Sequence, residues 1–109
     1  MITSVVVTYR VLPEAVAEHV RLIEAVFEQL RSEKPTGLLA YQVRCLEDGV
    51  SFVHVSTADK SDGSNPLPKL TSFQEFGRDS GARVATTPVP TPATVVGYYS
   101  AAADLPAAR

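Results

Sequence analysis

The sequence predicts an α+β chain in which two helices cover one face of a four-stranded antiparallel sheet. Three observations lead there. A β-branched run opens the chain and passes straight into a long amphipathic helix. Two β-rich stretches flank an acidic, glycine-containing turn in the middle. A polar loop, a second helical stretch and a last β-rich segment follow. The order β-α-β-β-α-β is the split βαβ arrangement of ferredoxin-like folds. The chain's 109 residues suit one domain, long enough to bury about 65% of its unfolded surface. That domain is expected over residues 1–100, with the Ala-rich residues 101–109 as a frayed tail.

Residues 2–11 are rich in Val, Thr and Tyr, as strands prefer. Alternation puts Val5, Val7, Tyr9 and Val11 on one face and Ser4, Val6, Thr8 and Arg10 on the other. Pro13 then suits a first helical position, where a missing N–H costs nothing. Val16, Val20, Ile23, Phe27 and Leu30 recur at spacings of four and three. Ala15, His19, Leu22 and Val26 widen that stripe, so the helix lies on a sheet. Glu14 and Glu18 sit near its positive end, Arg31 and Lys34 near its negative end. Pro35-Thr36-Gly37 stops it.

Residues 38–46 form the second strand, and Glu47-Asp48-Gly49 turns the chain into the central stretch Val50–Thr57. The turn length sets which face His54 occupies. A two-residue Asp-Gly turn places His54 with Tyr41, Val43 and Cys45. A three-residue turn with Gly49 left-handed places it with Gln42 and Arg44, and unites Tyr41, Val43, Cys45, Val53 and Val55. The second register separates polar from apolar residues more cleanly and is the one expected.

Asp59 to Pro66 is a loop by composition. A calcium loop is excluded, because Ala58 and Lys60 would fall at ligand positions and Lys69 where a Glu is needed. Ser64 or Asn65 is positioned to cap a second helix, continuous or broken, running from Leu67 to about Asp79. Its stripe is Leu67, Leu70, Phe73 and Gly77, and Phe76 falls outside it. Three alternating prolines then force an extended segment over residues 87–92. The last strand is expected over residues 93–100. Val6, Phe52, Val96 and Tyr98 would leave the uncovered sheet face apolar, so a second copy of the chain is expected to cover it.

The formal net charge is −2 and the basic residues are scattered, which excludes a phosphate-tracking surface for nucleic acid. No apolar run approaches the roughly 20 residues of a bilayer span. The start lacks a basic leader, and the single cysteine, Cys45, cannot form an intrachain disulfide. A cytoplasmic location is expected.

Leu12-Pro13-Glu14, Val53-His54-Val55-Ser56, Phe73-Gln74-Glu75-Phe76 and Val95-Val96-Gly97-Tyr98-Tyr99, spread over residues 1–100, carry a family likeness. The chain resembles the antibiotic-biosynthesis-monooxygenase-like group of the dimeric α/β barrel superfamily. That resemblance implies a homodimer joined through its sheet faces. It implies a small apolar or aromatic ligand and oxygenase chemistry without a cofactor. Haem-degrading members use a Trp and a second-helix His. This chain has no Trp, and Phe73 and Phe76 occupy that helix.

Candidate chemistry centres on His54, whose ordinary pKa lies near neutrality and which is placed to take a proton from a phenolic substrate. Gln42, Arg44, Phe52, Phe76 and Tyr98 are the expected binding residues around it. The plainer role for His54 is packing in the dimer interface. His19 is expected as a hydrogen-bonded boundary residue, and Cys45 as a buried, inert thiol. The two histidines lack metal-ligand spacing, so neither metal nor cofactor is expected. The expected function is therefore a small-molecule-binding dimer. Its sharper form is a cofactor-independent monooxygenase acting on an aromatic or polyketide-like substrate. The alternative is a non-catalytic ligand-binding or structural dimer.

Overall fold

The structure is a computed structural model that describes residues 2–59 and 65–101. Its elements are β1 (Ile2–Arg10), α1 (Val16–Glu33), β2 (Leu38–Cys45), β3 (Ser51–Asp59), α2 (Thr71–Gly77), α3 (Ser80–Arg83) and β4 (Val89–Ala93). Short 3-10 turns at Pro13–Ala15 and Leu67–Lys69 lead into α1 and α2. The four strands are antiparallel in the order β2-β3-β1-β4. This is the ferredoxin-like βαββαβ fold. The tail expected from residue 101 lies, beyond Ala101, outside the described residues, as does Ser64.

Local chemistry accounts for the element ends. α1 stops where Lys34 turns left-handed (φ 47°) and its N–H bonds the Leu30 carbonyl at 2.9 Å. Asn65 does not cap a helix as expected. It accepts the Leu67 N–H at 3.1 Å in an Asx turn just ahead of Pro66, which starts the 3-10 turn without a side-chain cap. The second helix is shorter than the sequence pattern suggests. α2 ends at Gly77, and Asp79 (φ 59°) breaks the chain before the single turn of α3.

The β2–β3 hairpin corrects the expected register. Val43 pairs directly with His54, Tyr41 with Ser56 and Cys45 with Phe52. His54 therefore shares a face with Tyr41 and Val43, not with Gln42 and Arg44. The connection is a four-residue loop closed by the Leu46 N–H to the Ser51 carbonyl. Gly49 is left-handed (φ 78°), as expected. The decisive group is the Asp48 carboxylate. It accepts the Val50 and Ser51 N–H groups at 2.9 and 2.8 Å and the Ser51 hydroxyl at 2.5 Å. One side chain thus replaces the backbone bonds that a tighter turn would make.

The last strand also differs. β4 lies in the proline-alternating segment, and residues 94–101 follow it without regular structure. β4 is an edge strand bonded only to β1. Proline at every second position is tolerated there, because the missing N–H groups face away from the neighbour.

Strand pairing divides the sheet cleanly. Val5, Val7, Tyr9, Phe52, His54, Tyr41 and Val43 face the helices. Val6, Thr8, Arg10, Gln42, Arg44, Val53 and Val55 lie on the open face. Phe52, expected on the open face, is 2% exposed on the covered one. Two apolar clusters fill the space under the helices. Tyr9, Val11, Ile23 and Phe52 form one, and Val26, Leu67 and Leu70 the other. Cys45 is exposed, contrary to expectation. It faces the helix side, but at the end of an edge strand beyond their cover. Partial burial, then the Asp48 carboxylate, hold its thiol above the ordinary range.

Candidate functional site

A chain of polar side chains runs through the interior between the helices and the sheet. β1 contributes Tyr9, α1 His19, β2 Tyr41, β3 His54 and α3 Arg83. The Tyr9 hydroxyl lies 2.6 Å from His19 Nε2 and 2.6 Å from His54 Nε2. His54 Nδ1 is 2.8 Å from the Tyr41 hydroxyl. At the other end Arg83 donates its Nε–H to His19 Nδ1 at 3.2 Å. The rest of the guanidinium donates to the carbonyls of Arg78, at 3.1 Å, and Phe76. It thereby anchors the last turn of α2, where free carbonyls attract a cation.

Packing locks these groups in place. His19 is 1% exposed and His54 7%. The Tyr9 and Phe52 rings stack at 5.9 Å, and Phe76 lies 5.0 Å from the His19 ring and 5.8 Å from the His54 ring. Arg83 sits over the same Phe76 ring, 5.5 Å from its centroid. Tyr41, partly covered, stacks on Phe27 at 5.0 Å. Among the described residues no fully buried side-chain nitrogen or oxygen lacks a hydrogen-bond partner. A buried network of this kind is tolerable only when satisfied in this way.

Burial dictates the protonation states. His19 is lowered to about 4, first by burial, then by the Arg83 charge and by His54. His54 is lowered to about 4 by burial. Both imidazoles are neutral at physiological pH. Burial also pushes both phenols up, Tyr9 with a further contribution from Tyr41 that Arg83 opposes. Among the described residues no group of three or more His, Cys, Asp or Glu side chains is arranged to hold a metal.

The structure brings together three of the residues singled out from sequence: Phe52, His54 and Phe76. It separates the others. Gln42 and Arg44 lie exposed on the open face, where the Arg44 guanidinium donates to Gln42 Oε1 at 2.9 Å. Tyr98 is 75% exposed in the segment after β4. Three participants, Tyr9, Tyr41 and Arg83, escaped the sequence reading. Tyr41 did so because the expected register set it on the face away from His54. Tyr9 looked like one more core residue of a Val-rich strand, although an alternating strand that aims a phenol at the helix carrying His19 was a usable signal. Arg83 gave no such signal, since it follows the break in the second helix and no periodicity places it. His19, expected at the boundary, is wholly buried.

Two surface cavities flank this network. One, of about 250 Å³, is bounded by Glu18, Glu75, Arg78, Asp79 and Arg83. The other, of about 340 Å³, lies by Thr8, Arg10, Val53 and Val89. His54 lines neither.

The fold and its polar interior define a ferredoxin-like βαββαβ protein with a histidine–tyrosine network under its helices. No family profile matches the chain, and no curated protein does. Solved structures do. Rv0793 from Mycobacterium tuberculosis superposes with a TM-score of 0.73 at 15% identity, covering 92% of this chain and 100% of that one. A Caulobacter crescentus protein, provisionally named an antibiotic biosynthesis monooxygenase, gives a TM-score of 0.69 at 22% identity over 88% of this chain and 91% of its own. A Nitrosomonas europaea protein with the same provisional name gives 0.73 at 10% identity over 87% and 90%. At these identities the likeness is one of fold.

Proposed function

We propose that the chain is a homodimeric, small-molecule-binding protein of the antibiotic-biosynthesis-monooxygenase-like architecture. Its ligand site is the polar interior around His54. The observation that carries this reading is the single phenol, Tyr9, bridging two neutral imidazoles in a place where apolar packing would be simpler. Titratable groups perturbed by burial and held in specific mutual contact cluster at functional sites.

In its sharper form the activity is cofactor-independent oxygenation of a flat aromatic or polyketide-like substrate. An activated CH₂ group loses a proton, its carbanion adds O₂, and the hydroperoxide loses water. CH₂ and O₂ become C=O and H₂O with no other electron donor. His54, between two phenols, is the residue through which the proton is exchanged. Phe52 and Phe76 supply the apolar walls.

Dimerisation is supported by the open face, where Val6, Val53 and Val55 form an apolar strip between Thr8, Gln42 and Arg44. Val96 (98% exposed), Tyr98 and Tyr99 (88%) stand in water beside a single chain. The prolines of β4 disfavour pairing at that edge, and the apolar strip makes the open face the favoured meeting surface. Among the described residues no helix is long and apolar enough to cross a membrane, and a cytoplasmic site of action fits this reading.

The test is a thermal-shift screen of flat aromatic compounds followed by oxygen uptake with each hit. His54→Gln is expected to keep the dimer and lower turnover by about 10²- to 10⁴-fold. Unchanged uptake in an intact His54→Gln dimer removes His54 from the mechanism. A second reading, a non-catalytic ligand-binding or structural dimer, is favoured by one observation: His54 has both nitrogens satisfied within the protein. It predicts ligand binding, or none, with no oxygen uptake.

A further inference from the structure

The buried chain has a direction, and Arg83 sets it. A guanidinium nitrogen can only donate, so His19 Nδ1, which receives the Arg83 Nε–H, must be bare. His19 is then neutral with its proton on Nε2, pointing at the Tyr9 oxygen. Tyr9 has one proton, and the His19 side already presents one. The Tyr9 O–H must therefore donate to His54 Nε2, since any other choice leaves a buried hydroxyl without an acceptor. His54 Nε2 is bare in turn, its proton sits on Nδ1, and it donates to the Tyr41 oxygen. Every bond points from Arg83 towards Tyr41. The reverse direction would set a His19 Nδ1–H against the Arg83 N–H.

We infer that Arg83 is a positioning residue that polarises this chain so that the site ends in a hydrogen-bond donor, the Tyr41 hydroxyl. Its ligand class is an oxyanion, a phenolate or enolate oxygen. Tyr41 suits that part. It is only partly covered, and among the described residues His54, which donates to it, is its hydrogen-bond partner. The hydroxyl proton is left for an outside acceptor. The preorganised donors behind it, Arg83, His19, Tyr9 and His54, strengthen the bond to a developing negative charge. The inference rests on the ligand site proposed above and narrows it. In the resting direction both His54 nitrogens are engaged, so the resting site is set to hold an anion, and the proton exchange through His54 proposed above requires the His54–Tyr41 bond to reverse.

The direction is readable without any ligand. Long-range ¹H–¹⁵N correlation spectra of the ¹⁵N-labelled wild-type chain are expected to show His19 as the Nε2–H tautomer and His54 as the Nδ1–H tautomer. Signals are assigned with His19→Gln and His54→Gln. The opposite tautomer at either residue overturns the direction. Arg83→Met frees the chain to reverse, so the His54 signals are expected to move towards a mixture. A folded Arg83→Met protein with unchanged His54 signals overturns the role of Arg83. The ligand class is tested with 4-nitrophenol, whose phenolate is coloured. Bound probe is expected to be more ionised than free probe at the same pH, and Tyr41→Phe to bind it about tenfold or more weakly. A bound probe less ionised than the free one, equal binding by Tyr41→Phe, or no binding by either protein overturns the oxyanion class. The tautomers still decide the direction on their own.

Discussion

The two faces of the sheet are built from the same strands, β1, β2 and β3, and they handle polarity in opposite ways. The helix-covered face takes two imidazoles and two phenols into the protein and satisfies them with one another and with Arg83. The open face leaves its polar residues, Thr8, Gln42 and Arg44, in water and holds an apolar strip of Val6, Val53 and Val55 between them. The contrast shows where specificity sits. A lone Val strip discriminates little and suits a symmetric contact with a second copy. A satisfied hydrogen-bond chain has one arrangement of donors, which specifies a single packing of the core.

The largest expected effect separates the faces by pH. Both histidines are neutral in the fold with pKa values lowered to about 4, whereas the unfolded chain takes up protons near 6.5. Stability should be full above about pH 6.5, fall as pH drops towards 4, and level off below that as the fold itself protonates. Each histidine contributes up to about 1.4 kcal/mol per pH unit in that window. Urea midpoints from pH 8 to 4 measure it, and His19→Gln should flatten the slope. A pH-independent midpoint would show that the imidazoles are not buried as described.

Next in size is Phe52→Ala, which removes the ring stacked on Tyr9 from a site 2% exposed. A loss of about 3–5 kcal/mol is expected by denaturant titration, as for other buried aromatic truncations. A loss under 1 kcal/mol would place Phe52 on the open face after all.

Val55→Glu probes the other face. It should dissociate the proposed dimer at micromolar concentration by sedimentation. The monomer's intrinsic stability is expected to change only within the roughly 0.5 kcal/mol usual for surface sites. An unaltered dimer would move the interface away from the open face.

The smallest effect tests the hairpin that assigns the faces. Gly49 has φ 78° and a Cβ there meets nothing within 4 Å. Gly49→Ala should cost about 1–2 kcal/mol from backbone strain alone. The tautomers of His54 should not change, because the register is also held by Asp48.

By itself the sequence determined the element order, the long helix and its sheet-facing side, and the alternation of β1. All of these depend on local periodicity, which a linear pattern records directly. It marked His54, Phe52 and Phe76 as residues of interest. It placed His54 on the other face because register was judged by apolar separation, and a satisfied polar chain breaks that rule without energetic penalty. The Asp48 side chain decided the register through three hydrogen bonds. Tertiary structure alone brought Arg83 to His19, 64 residues away, and joined Tyr9 to both histidines. Hydrogen-bond partners across a fold are set by where the elements meet in space. No spacing along the chain encodes that meeting.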